Sequence, residues 1–189
     1  MKLPNLNFWQ PKEARADGNG DMAMINQATN STVTTDEAYA NPFAIACYAV
    51  MSMLFGEVPT KGQVGSFSQH DADYEVVAAV GVTGGVRGHC VFGMSTETAL
   101  GVTSAMAGSP ATELDELALS AVSELANMIC GNGLLQLTEM FGDCDLTPPT
   151  IMCGDGAVVS SVAITPTIIP LTLSFGSIDL VVGLVAKES

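Results

Sequence analysis

Residues 112–142 read TELDELALSAVSELANMICGNGLLQLTEMFG, and this stretch decides how the rest of the chain is read. Leu114, Leu117, Ala118, Ala121, Val122, Leu125, Met128 and Ile129 recur at helical spacing and make one apolar stripe. Glu113, Glu116, Ser120, Glu124 and Asn127 follow at steps of three and four on the opposite face. Thr112-x-x-Asp115 has the form of a capping box, and Gly142 is the stop. The pattern predicts one long amphipathic helix ending at about Phe141.

Outward from that helix the signals change period. Upstream, Tyr74–Val82 and Gly88–Met94 read as the two strands of a hairpin, with Thr83–Arg87 as its turn. The glycines at 81, 84, 85 and 88 stand between strands rather than before a helix, so they read as turn chemistry and not as a phosphate loop. A short helix is predicted from Thr96 to Ala107, ended by Gly108-Ser109-Pro110. Further back, Asn41 caps a helix with Pro42 at its first position, apolar almost all round to Phe55 and closed by Gly56. Downstream, Asp143–Pro149 reads as a loop. Thr150–Val185 reads as three strands: Ile151–Met152 with its continuation, Val158–Ile169, and Leu171–Val185 bent near Gly176. The predicted class is α+β, a mostly antiparallel sheet covered by helices. Residues 1–34 are polar and aperiodic and read as a flexible tail, leaving 35–189 as one domain. No internal repeat is legible.

Composition narrows the function. Twenty acidic residues against six basic ones give a formal charge of −14, and between Gly62 and Ala186 the only base is Arg87. Such a chain cannot assemble the basic patch that nucleic acid or an anionic membrane requires. Its acidic surface suits a partner carrying Lys or Arg. Two uncharged stretches, Ala38–Gly56 and Gly156–Ile178, are discounted as membrane spans. The first is shortened by Asn41-Pro42, and the second carries Pro166, Pro170 and many hydroxyls. The start, MKLPNLNFWQPKE, has no apolar run of signal-peptide type. The five cysteines, Cys47, Cys90, Cys130, Cys144 and Cys153, are odd in number and lack a CxxC, which reads as reduced, buried thiols of a cytoplasmic protein.

Few other constellations carry chemistry. With only His70 and His89 and no cysteine pair at ligand spacing, no zinc site is expected. His70-Asp71-Ala72-Asp73 and Asp143-Cys144-Asp145 read as acidic turns. No Gly-x-Ser-x-Gly elbow is present. The long helix remains. Glu124 and Asn127 are neighbours on its polar face, one turn apart. The next position up, Gly131, has no side chain, so a partner could approach closely there. Taken alone, such a stripe is ordinarily just a solvated helix face.

The stretch Ser120-Ala-Val-Ser-Glu124-Leu-Ala-Asn127-Met-Ile-Cys-Gly131-Asn132, followed by Leu146-Thr-Pro-Pro149-Thr150-Ile-Met-Cys-Gly154, resembles the CheX/CheC/FliY chemotaxis phosphatases. Ser120, Glu124, Asn127 and the downstream Pro149 match that family's signature, although the interval from Asn127 to Pro149 is slightly shorter than usual. The resemblance covers most of residues 40–186, including Asn41-Pro42-Phe43. The CheC branch typically carries two Glu/Asn pairs and this chain one, which places it with the CheX branch. The resemblance implies a phosphatase acting on the aspartyl phosphate of a CheY-like response regulator. In that reading Asn127 positions the attacking water and Glu124 docks the regulator's active-site lysine. Ser120, Gly131 and Pro149 are signature or contact positions. Mg2+ is expected in the partner, and no cofactor in this chain. A homodimer is also implied. Two other readings stay open: a non-catalytic adaptor for a response regulator or the flagellar switch, and a phosphatase serving a regulator outside chemotaxis.

Overall fold

The computed structural model describes residues 35–66, 73–157 and 166–187. The expectation of a flexible tail at 1–34 lies outside them, as do His70, Asp71 and Ala72. In chain order the elements are α1 (Thr35–Phe55), β1 (Thr60–Lys61), β2 (Gly65–Ser66), β3 (Tyr74–Gly84), β4 (Val86–Met94), α2 (Thr96–Ala107), α3 (Glu116–Phe141), β5 (Cys144–Leu146), β6 (Thr150–Ala157), β7 (Thr167–Leu173) and β8 (Gly176–Ala186). Among the described residues every strand pair is antiparallel, and the sheet runs β1/β2–β7–β8–β4–β3–β5/β6. The predicted α+β class is the observed one.

Strand alternation divides the core. Val76, Ala78, Val80 and Val82 of β3, Phe92 of β4 and Leu180 of β8 point into the main cluster with the helices. A bulge between Tyr74 and Val76 shifts the phase of β3. Tyr74 therefore joins Val77, Val91, Ile168 and Val181 in a second, smaller cluster on the other face. The Tyr74 hydroxyl donates to Asp179 Oδ2 at 2.8 Å. Its ring lies so close to Gly93 that a Cβ there would come within 2.6 Å of it.

The structure corrects several expectations. Helix α1 begins at Thr35, so Pro42 lies inside it and Asn41 is not its cap. An interior proline removes one helical hydrogen bond. Burial of Tyr39 and Ala40 upstream, with the Tyr39 ring 4.9 Å from that of Phe141, offsets the loss. Asp115 itself caps α3, accepting from the Ala118 amide at 3.0 Å, in place of a box opened by Thr112. The hairpin pairing stops at Val82↔Gly88 as expected. Both strands run further because each continues against another neighbour, Gly84 with Cys144 and Val86 with Ala186. The expected loop Asp143–Pro149 contains β5, and the strand expected over Leu171–Val185 is two strands joined by a reversal at Ser174-Phe175. Cys153 is exposed, while the other four cysteines are buried and all five are free thiols. Among the described residues no helix is long and apolar enough to cross a membrane.

The topology also contains a duplication that the sequence did not disclose. α1–β1/β2–β3–β4 and α3–β5/β6–β7–β8 run in the same order, and each half's short split strand pairs in the other half, β1/β2 with β7 and β5/β6 with β3. Each helix ends Phe-Gly, at Phe55-Gly56 and Phe141-Gly142, with the glycine at positive φ and its N–H bonded to the carbonyl four residues back. Each exit then fastens the opposite hairpin. The Ser174 N–H donates to Glu57, and the Gly85 N–H donates to the Asp143 carbonyl at 2.8 Å.

Helices α1 and α3 pack together through one gap. A Cβ on Gly133 would lie 2.6 Å from Cδ1 of Phe43, which is fully buried. A Cβ on Gly131, two residues earlier, would meet nothing within 4 Å. Overpacking costs roughly 1–3 kcal/mol, whereas Gly→Ala in a helix gains about 1 kcal/mol. Urea denaturation should therefore show Gly133→Ala less stable than the parent chain and Gly131→Ala more stable by up to ~1 kcal/mol. Equal effects of the two substitutions would contradict this packing.

Candidate functional site

Helix α3 carries the site because one of its faces is held and the other is free. Val122, Leu125, Ala126, Ile129, Cys130, Gly133 and Leu137 are buried. Leu125 and Ala126, between Glu124 and Asn127 in sequence, are each only 1% exposed. The helix cannot turn about its axis without pulling these side chains from the core, so the backbone positions from which Glu124 and Asn127 project are fixed. Beneath the helix, Cys130 meets Cys90 and Cys47 in the core. Burial, followed by the neighbouring thiol, pushes the Cys47 and Cys90 thiols up, which makes them inert packing groups.

Ser120, Glu124 and Asn127 are exposed, and Gly131 is half-exposed. These four expected positions share one face. Neither the Glu124 nor the Asn127 side chain makes a hydrogen bond or ion pair among the described residues. Asn132 differs, since its amide turns back onto the Met128 carbonyl at 2.8 Å. The pair therefore presents an uncommitted carboxylate and an uncommitted amide, one helical turn or about 5–6 Å apart. An amide offers a donor and an acceptor on one rigid plane, and a carboxylate accepts from an ammonium.

Pro149, the fifth expected position, stands on a separate element, in the Thr147-Pro148-Pro149 connection between β5 and β6. Thr147 ties that connection to β3. Its N–H donates to the Gly81 carbonyl at 2.9 Å, and its Oγ1 accepts from the Gly81 N–H at 2.9 Å. Among the described residues no group of three His, Cys, Asp or Glu side chains is placed to hold a metal.

One residue assigned to the apolar stripe is out of place. Leu117 is 62% exposed, and Leu135 further along is 68% exposed. Leu117 lies seven residues before Glu124, nearly two turns, and so falls on the face of the pair. A broad apolar band hides this in sequence, because Leu117 sits at its edge beside the buried Ala118. The available signal is its register with Glu124 and Leu135.

Residues 76–172 match the family model for the chemotaxis phosphatase CheX. A 127-residue stretch is 35% identical to the CheY-P phosphatase CheX of Thermotoga maritima, covering 67% of this chain and 82% of that protein. The crystal structure of a chemotaxis protein CheX from Desulfovibrio desulfuricans superposes with a TM-score of 0.70 at 27% identity, over 79% of this chain and 99% of that one. CheX in the CheX–CheY–BeF3–Mg2+ complex from Borrelia burgdorferi superposes with a TM-score of 0.68 at 25% identity, over 77% and 97%. With its α+β fold, its single Glu/Asn face on α3 and this likeness over most of its described length, the chain belongs to the CheX family of chemotaxis phosphatases.

Proposed function

We propose that this chain hydrolyses the aspartyl phosphate of a CheY-like response regulator in the cytoplasm, with Glu124 docking the regulator and Asn127 positioning the water. The observation that carries the reading is the pair itself: two exposed, unengaged side chains on a helix whose other face is locked in the core. The likeness to a protein named CheY-P phosphatase, and to a CheX solved with CheY, supports the choice of substrate.

The chemistry asks for little beyond placement. Water attacks phosphorus, an O–P bond forms, and the bond to the regulator's aspartate breaks. The electron pair stays on that carboxylate, and the water's proton leaves with phosphate or solvent. A carboxylate of ordinary pKa, about 4, departs without a general acid. What the reaction lacks is a water held in line, and placement of this kind is a large part of phosphoryl-transfer catalysis. Asn127 can supply it, donating to or accepting from the water without competing for its proton. Glu124 suits the regulator's lysine by charge-assisted hydrogen bonding, which sets the register of the two proteins. Mg2+ belongs to the regulator's side of the complex, where it neutralises charge on the phosphoryl oxygens. Ser120 and Pro149 are contact positions in this reading, and Gly131 is the gap through which the partner's backbone approaches.

Asn127→Ala should slow phosphate release from a phosphorylated regulator on the order of a hundredfold, with binding retained. Release at the parent rate would sink the assignment. Glu124→Lys should abolish binding by setting like charges against each other, so a variant that still binds at parent affinity would remove Glu124 from the interface. A parent chain that binds the phosphorylated regulator without accelerating release would identify an adaptor instead.

A further inference from the structure

The two exposed leucines of α3 have no role in the fold, yet they bracket the candidate pair. Leu117 and Leu135 are 18 residues apart, so they stand about 27 Å apart along the helix at the same angular position. Between them that face carries Ser120, Glu124, Asn127 and Gly131, with the exposed Asn132 and the half-buried Met128 and Leu134 alongside. Beside Leu117 the α2–α3 connection opens a shallow pocket of about 200 Å³, in which Ala107, Pro110 and Leu117 stand beside the polar Thr112, Glu113 and Asp115. The face thus presents one exposed leucine toward each end and the polar pair at its centre.

Charge identifies the occupant. Glu113, Glu116, Glu124 and Glu139 are exposed along this side, and no Lys or Arg occurs anywhere in α3. A second copy would set these carboxylates against their own kind with nothing to neutralise them, which disfavours self-association through this face. The occupant must bring cations at its centre and apolar surface on either side. We propose that Leu117 and Leu135 are the apolar anchors of the response-regulator interface, seating apolar residues that flank the regulator's phosphoacceptor pocket and its lysine. The proposal rests on the phosphatase reading above for the identity of that partner.

The test uses the full chain and a CheY-like regulator loaded with Mg2+ and beryllofluoride, a stable stand-in for the aspartyl phosphate. Affinity is measured by calorimetry, and phosphate release from the phosphorylated regulator by steady-state kinetics. Leu117→Gln and Leu135→Gln should leave the thermal transition unchanged, because both side chains are already in water. Each should weaken binding and raise KM about tenfold, from loss of one buried leucine, with kcat unchanged. Asn127→Ala should show the opposite split, a fallen kcat and a steady KM. A Leu117→Gln/Leu135→Gln double variant with parent affinity and parent KM overturns the proposal while leaving the phosphatase reading intact. A parent chain that releases no phosphate, but loses affinity through the same substitutions, refutes the phosphatase reading and supports the anchors. Self-association of the parent chain that the leucine variants abolish would make a second copy the occupant, and would also overturn the proposal.

Discussion

The ladder between β4 and β8 is the constraint on which the rest of this fold depends. It runs unbroken from Val86↔Ala186 to Met94↔Ile178 and joins residues far apart in sequence. On one side of it lie β3 and β5/β6, and on the other β7 and β1/β2. Because the outer split strands are exchanged, neither half can complete its sheet alone. The helices follow from this. α1 and α3 lie over the joined strands and meet through Phe43 in the gap left by Gly133. That contact holds α3 by one face and so frees the other. The placement of the helix face that carries Glu124 and Asn127 is thus traceable to a pairing made by strands that carry no part of the site.

How much of this was legible depends on whether the signal is local. Helix α2 was readable because Gly108-Ser109-Pro110 ends it, the glycine adopting a left-handed conformation, and the structure adds Ser95 as its N-cap, accepting from the Thr98 N–H. The α3 pattern was readable because 26 residues give the helical period room to show. Short strands were not. β1, β2 and β5 are two or three residues long and exist because β7 and β3 offer them unpaired backbone, which no local pattern encodes. The start of α1 was misjudged for a similar reason. Asn41-Pro42 is a strong local start signal, and it is overridden by a tertiary contact, Tyr39 against Phe141. At the site, the shared face of Ser120, Glu124, Asn127 and Gly131 was legible from spacing alone. The exposure of Leu117 was harder to read, because it sits at the edge of a broad apolar band beside the buried Ala118, and only its register with Glu124 gives it away.

The duplication bears on why only one helix offers a pair. Aligning Phe55-Gly56 with Phe141-Gly142 sets Ala38 and Asn41 of α1 opposite Glu124 and Asn127 of α3. α1 therefore has the amide without the carboxylate, and its Asn41 is exposed. The position opposite Gly131 is Ile45, whose side chain is 48% exposed. On α1 an isoleucine side chain thus stands at the position that Gly131 leaves without one on α3. A partner brought to α1 would meet an alanine at the position of Glu124 and a branched side chain where close approach is needed. The two helices share a scaffold, an ending and a sheet, and differ at the positions that would decide whether a phosphorylated partner can be seated. If α3 is the working face, its distinction lies in one carboxylate gained and one side chain left out, since the amide alone is present on both.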